Sequence, residues 1–312
     1  MFETDTQNYK QRVGKVLRTH SYTLYWRIFL LYWWVKNKYY LKKLTSNNLF
    51  KSSVEAQLKE QKNSNTIFIL GSGSSINNIS ENQWNIIENN DSVGLNKWFI
   101  HNHIPDYYVM EFPENEWKQT YYAILRLKAD QYRDVPILIK NISTQSSVLD
   151  LSEIPKIIHD NIYLTNGIPL PWDGKTIESF ENTLRYLDQN GYFNESKYVK
   201  INFQRRGSIS YLILLAVQLG YDEIVLCGVD MLHSNYFFQN SDYDDFAVSL
   251  PNIQSGSTHK TYDSKHGKLT LDKVIYAINR VVLEPRGIDL YVGSKPTALY
   301  PNLDYYFEER SD

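Results

Sequence analysis

Short apolar runs, separated by polar or glycine-containing stretches, recur along the chain at the spacing of alternating strands and helices. Thr66–Leu70, Ser92–Leu95, Tyr107–Met110, Pro136–Lys140, Asn161–Leu164, Ile224–Val229 and Ile288–Val292 each read as a short strand. Most are continuously apolar rather than alternating, as strands covered on both faces of a parallel sheet require. Helical stretches are expected near 115–130, 176–190 and 269–283, and Ser210–Leu219 is apolar enough for a helix buried on most sides. Gly220 then serves as its stop, with Asp222 and Glu223 punctuating the turn. Residues 166–204 show no clear order, and 232–266 read as a long polar loop. The alternation predicts an α/β fold over residues 64–312: one Rossmann-like parallel sheet with helices on both faces.

Residues 8–46 show a different pattern. They lack proline, contain one glycine and read as a single helix whose centre, Tyr22–Val35, is dense in aromatic residues. The uninterrupted apolar run Ile28–Val35 is only eight residues long, whereas a bilayer span needs about 20. Charge separates this extension from the rest. Residues 1–63 hold 12 basic and 4 acidic groups, leaving 21 basic and 31 acidic in the remaining 249, so the overall charge of −2 hides parts of +8 and −10. A basic helix bearing Trp33, Trp34, Tyr39 and Tyr40 is expected to lie on a membrane surface of anionic lipid. Packing on the acidic body or on a second subunit is the alternative, which leaves a homo-oligomer open. No nucleic-acid partner is expected, because no nucleic-acid-binding fold accompanies the charge.

One cysteine, Cys227, excludes an internal disulfide framework and fits a reducing compartment; mid-strand, it reads as a small buried hydrophobe. The N-terminus lacks the pattern of a secretory signal. With the basic helix, this predicts a cytoplasmic protein peripheral to the inner face of the membrane.

Candidate chemistry gathers at predicted strand ends. The first strand runs into Gly71-Ser-Gly-Ser-Ser75, a turn in which glycines let a phosphate approach the backbone. Asn77 stands where a dinucleotide fingerprint has its third glycine. Asn96 and Lys97 end the second strand. Gln204-Arg-Arg-Gly-Ser208 precedes the apolar helix at the mouth of the same crevice, and Asp230 follows the strand after it. Ligands of open parallel sheets bind beyond the carboxyl ends of the strands.

Three of these pieces together resemble the bacterial sialyltransferases of glycosyltransferase family 42 and related Rossmann-like surface-glycan transferases. IFILGSGSSI resembles that family's first strand and loop, VGLNKW its second strand ending in Asn, and the stretch from Gln204 to Asp230 its Q-R-x-T-S-G…G-I-D block at identical spacing. The resemblance covers about 64–300 and implies a single-domain variant of the GT-A-like fold. It implies an inverting, metal-independent glycosyltransferase that takes a sialic-acid-like or other nonulosonate sugar from a CMP-activated donor, without a cofactor, to a cell-surface glycan or glycolipid acceptor. By the same resemblance Gly71, Ser72, Gly73 and Ser75 lie by the nucleotide and its phosphate, and Asn96 contacts the donor. Arg205 and Ser208 face the sugar, Asp230 and Met231 flank the cytidine, and Tyr236 gives its hydroxyl to the leaving phosphate. The catalytic histidine falls in the following loop, where His259 and His266 compete. The chain departs from the family at Ser72, Ser74 and Leu232, and Phe112 or Glu111 stands where the family has another Asn, which puts the donor sugar in question more than the fold.

The residue types suit that chemistry. A departing phosphate monoester is stabilised by hydroxyl and N–H groups without a divalent ion, and a histidine can take the acceptor's proton. His101 and His103 read as structural; His233 does too, although it lies close enough to the site to touch phosphate. Two other readings remain open. Asp242-Tyr-Asp244 is a D-x-D pair, as in metal-dependent nucleotide-diphosphate-sugar transferases; diphosphokinase chemistry would also need a metal. A non-catalytic partner in a glycan-assembly complex is the third.

Overall fold

The structure is a computed structural model. It describes residues 21–45, 58, 60–111, 113, 116–140, 150–170, 176–194, 201–240, 243, 250–251, 259, 261–264 and 269–308. The described strands are β1 (Thr66–Leu70), β2 (Asp91–Leu95), β3 (Tyr107–Met110), β4 (Ile137–Ile139), β5 (Ile162–Leu164), β6 (Asn166–Pro169), β7 (Ile201–Gln204), β8 (Glu223–Cys227) and β9 (Asp289–Val292). The helices are α1 (Tyr22–Thr45), α2 (Glu81–Glu88), α3 (Trp117–Leu127), α4 (Ile177–Gln189), α5 (Ser208–Leu219) and α6 (Leu271–Ile278). Seven strands form one sheet in the order β5-β4-β3-β2-β1-β8-β9, and every pair in it is parallel. This is the Rossmann-like α/β architecture.

Alternate residues of β1 enter opposite layers. Ile67 and Ile69 pack with α4, α5 and α6, whereas Phe68 and Leu70 pack with α2, α3 and the C-terminal Tyr306 and Phe307. All twelve residues of α5 are buried, and each of its leucines stabilises the fold by about 1.5–3 kcal/mol. The helix ends at Gly220, whose φ of 80° is left-handed, a conformation that carries no Cβ penalty in glycine. Cys227 is a buried free thiol whose pKa burial pushes up to about 12.

The segment without readable order contains α4 flanked by a second, two-stranded parallel sheet, in which Asn166 faces Ile201 and Pro169 faces Gln204. Four-residue strands paired across more than thirty positions leave no local periodicity, so only the tertiary structure reveals them. β7 delivers Arg205 and Arg206 directly to the start of α5.

α1 carries two apolar stripes. Trp26, Phe29, Leu30 and Trp33, at helical spacing, pack on the body, and Trp26 stacks on Tyr186 of α4 at 5.7 Å. A second stripe, including Leu24, Ile28, Leu31 and Val35, is 47% to 60% exposed. Residues 8–20 and 46 of the expected helix lie outside the described residues. No helix among the described residues is long and apolar enough to cross a membrane.

Candidate active site

From β1 the sheet grows through β2 to β5. The chain then returns to lay β8 against the free edge of β1. The strand order turns back between β1 and β8, where open α/β sheets form their ligand crevice. Leu70 pairs with Gly94 and with Cys227, so β1, β2 and β8 end at one height. Over those ends opens a cavity of about 510 Å³, within the range of small-molecule sites.

Glycine is required here by the protein itself. A Cβ on Gly71 would lie 2.5 Å from the Gly228 carbonyl oxygen, and one on Gly73 would lie 2.6 Å from Asp230 Oδ2. Gly228, at φ 65°, would drive a Cβ to 2.7 Å from Ile76. The loops after β1 and β8 therefore interlock backbone to backbone. The Gly71 and Gly73 N–H groups donate to Cys227 and Gly228 carbonyls at 2.8 and 2.9 Å, and Ser74 N–H donates to Asn235 O at 3.2 Å. Ser75 N–H donates to Asp230 Oδ2 at 3.0 Å, and its hydroxyl donates to Oδ1. The buried Asp230 carboxylate occupies the position an anion would take at the start of the short 3-10 helix Ser74–Asn78. Its pKa is raised by loss of solvent, against the hydrogen bonds from Ser75 and Ser74 that lower it. Sequence reasoning expected this loop to cradle phosphate. Its N–H groups are instead taken by the neighbouring loop, and among the described residues only that of Ser72 lacks an acceptor. Asn77, at the missing third-glycine position, donates its side-chain N–H to Phe237 O at 2.9 Å, which helps hold Tyr236 across from Gly73.

The opposite wall begins with Gly207, Ser208 and Ile209. Gly207 precedes α5 without a side-chain cap, and Ser210 turns its hydroxyl back onto Arg205 and Gly207 carbonyls. The N-terminus of this twelve-residue helix, with Ser208, thus faces the cavity, where the positive end of the helix dipole favours an anion.

Asn96 holds a left-handed φ of 52°. Its carbonyl accepts from the Tyr108 hydroxyl, and its side-chain oxygen accepts from Glu111 N–H at 3.1 Å. Its amide nitrogen remains for a ligand. Of the other non-glycine residues with positive φ among the described residues, Met231 at 59° lines the same cavity, and Arg206 at 61° precedes Gly207 on its wall. Such conformations cost about 1–3 kcal/mol and collect at functional sites.

Glu111 and Lys97 also line the cavity. Glu111 pairs at 3.1 Å with Lys140, which is only 1% exposed. The Lys97 ammonium lies 4.1 Å from the Trp117 ring centre, 4.5 Å from Tyr236 and 5.5 Å from Phe238. Loss of solvent brings its pKa down to about 8, while the ring faces favour the charged form. Burial also raises the pKa of the Tyr236 hydroxyl.

His259 lines the cavity. Its N–H donates to Met231 O at 3.2 Å, and its Nδ1 lies 2.7 Å from Thr261 Oγ1. Arg206 donates to the Thr261 and Asp263 carbonyls at 3.1 and 2.7 Å, so a guanidinium beside the α5 N-terminus secures the segment that carries the histidine.

Of the residues singled out in the sequence, Gly71, Ser72, Gly73 and Asn96 line the cavity, as do Ser208, Asp230, Met231, Tyr236 and His259. Ser75 faces Asp230 rather than the cavity. Arg205 does not line it, and its guanidinium reaches toward Leu170 O at 3.4 Å. His266, Asp242 and Asp244 lie outside the described residues. His101, read as structural, is held between Trp98 and Trp84 at 4.4 and 5.1 Å and kept neutral by burial, with its pKa brought down to about 3. Sequence reasoning placed Glu111 and Lys97 at strand ends but missed the pairing of Glu111 with Lys140 and the aromatic surroundings of Lys97.

The chain matches no known protein-family profile and no curated protein sequence.

Two positive features, the α5 N-terminus and Lys97, therefore share one hollow with hydroxyl donors and a histidine. Among the described residues, no three His, Cys, Asp or Glu side chains meet as a metal-binding group. Such a hollow can hold an anionic ligand, donate protons to it and accept a proton on the far side.

Proposed function

We propose that this protein is an inverting, metal-independent glycosyltransferase that uses a CMP-activated nonulosonate and a cell-surface glycan acceptor. The observation that carries the reading is the N-terminus of α5 sharing a cavity at the strand-order reversal with Tyr236 and His259. With the glycine loop's N–H groups occupied by protein, this cavity suits a donor with one phosphate and one carboxylate better than a diphosphate. Ser208 and the first N–H groups of α5 hold the carboxylate, and Asn96 and Ser72 hold the nucleotide. His259 takes the acceptor hydroxyl's proton on its imidazole. The hydroxyl oxygen bonds to the anomeric carbon as the bond to phosphate breaks, with Tyr236 donating to the departing phosphate oxygen.

The test is thermal stabilisation by CMP, CDP, UDP, GDP and ADP, with and without Mg²⁺. CMP at a hundredfold excess over its Kd stabilises by about 2.7 kcal/mol, several degrees in Tm, independently of the metal. A rise with UDP or GDP alone that needs Mg²⁺ would instead favour the diphosphate-donor reading. His259→Ala is expected to keep CMP binding and lose about 10²- to 10⁴-fold in transfer. Full transfer by that variant, with loss in His266→Ala, would move the base to His266.

The same reading takes the exposed stripe of α1 to lie on an anionic membrane surface. It joins Leu31 and Trp34, 60% and 49% exposed, to a segment bearing Arg27, Lys36, Lys38 and Lys42 and no acidic residue. Co-sedimentation with anionic but not neutral vesicles, lost in Leu31→Ser/Trp34→Ser, checks it; equal binding by both proteins would sink it.

A further inference from the structure

We infer that Lys97 is the counter-charge for the donor's phosphate, held ready by three aromatic rings. The inference rests on the nucleotide-donor reading above and assigns the second anionic group of that donor to a second place in the cavity.

Lys97 follows Asn96 at the end of β2 and lines the cavity. Its ammonium is collared by Trp117 from α3 and by Tyr236 and Phe238 from the segment after β8. Trp117 and Phe238 are only 4% and 6% exposed, so two of the three rings belong to the packed interior. Rings stabilise a cation without neutralising it. Among the described residues no carboxylate lies within ion-pair distance of Lys97, although Lys140 nearby has one in Glu111. A partly buried ammonium without an anion is costly unless a ligand supplies one. One of the collar's rings is Tyr236, the residue proposed to donate to the leaving oxygen. A phosphate that reaches Lys97 therefore also meets that hydroxyl, while the α5 N-terminus remains for the carboxylate. In the reaction, the ammonium stays protonated and neutralises charge that builds on the phosphate as the glycosidic bond breaks. It transfers no proton.

The test compares CMP and cytidine binding to the full chain and to Lys97→Met by calorimetry. Loss of a charged hydrogen bond is expected to weaken CMP about 10- to 100-fold and leave cytidine nearly unchanged. Wild-type CMP affinity is expected to fall as pH rises through about 8 and to level off near that of the variant. The other titratable groups on the wall, Glu111, Tyr121, Asp230, His233, Tyr236 and His259, are common to both proteins and cancel in the comparison. If Lys97→Met fails to fold, the wild-type pH profile for CMP against cytidine decides alone. Equal CMP binding by wild type and variant, or parallel losses for CMP and cytidine, overturns the role of Lys97 and leaves the nucleotide reading standing. A wild-type protein that binds no nucleoside monophosphate overturns both.

Discussion

Replacing Asp230 tests whether this carboxylate serves the protein or a ligand. Ser75 donates to it through both backbone N–H, at 3.0 Å, and hydroxyl, with the Ser74 hydroxyl farther away at 3.5 Å. Asp230→Ala leaves the Ser75 N–H buried without an acceptor, which costs about 1–3 kcal/mol, and removes charged hydrogen bonds of about 1.5–3 kcal/mol net. Relief from burying a charge offsets part of this, so a loss of about 3 kcal/mol is expected, or roughly 5 °C in Tm for a chain of this length. Asp230→Asn keeps one acceptor for the N–H and should lose about 1 kcal/mol. The pH dependence separates this from an ordinary ion pair. Burial raises the folded-state pKa above 3.8, so the folded chain binds the proton more tightly than the unfolded chain. Wild type therefore gains stability relative to Asp230→Asn as pH falls from the raised value toward 3.8, and loses that gain as pH rises again. Thermal denaturation of the three proteins between pH 3.5 and 7 (roughly the window that linkage defines) measures both effects. Refutation would be an Asp230→Ala protein within about 0.5 kcal/mol of wild type, or an advantage over Asp230→Asn that shrinks on acidification.

Two further substitutions probe the same architecture. Gly71→Ala sets a Cβ 2.5 Å from a backbone oxygen of the next loop; strands cannot part cheaply there, and chemical denaturation should register a loss above about 3 kcal/mol. Arg206→Ala removes the guanidinium from the Thr261 and Asp263 carbonyls. Steady-state kinetics should show about tenfold lower kcat with nearly unchanged KM for the donor, in keeping with the cost of small misplacements, and an unchanged kcat would remove Arg206 as the positioning residue of His259.

Much of the framework is legible in the sequence. The strands at Thr66 and Tyr107 and the helix ending at Gly220 emerged because a strand buried on both faces and a helix buried all round each leave a contiguous apolar signature. The β6–β7 sheet did not, because its pairing joins positions too distant for a local pattern. The same divide runs through the site. Strand ends can be read from a sequence, so Gly73, Asn96, Ser208 and Asp230 could be named together, and the parallel register brings them to one height.

What each residue does at that height was decided by neighbours far away in the chain. The sequence alone determined that glycines follow the first strand; the tertiary structure decided that the β8 loop, rather than a phosphate, requires them. The sequence alone put a lysine after Asn96; folding surrounded it with Trp117, Tyr236 and Phe238 and removed part of its solvent. Apolar periodicity is a property of a few adjacent residues, whereas hydrogen-bond partners, desolvation and charge balance depend on which segments meet. The order of elements could therefore be read along the chain, and the chemistry of the hollow only across it.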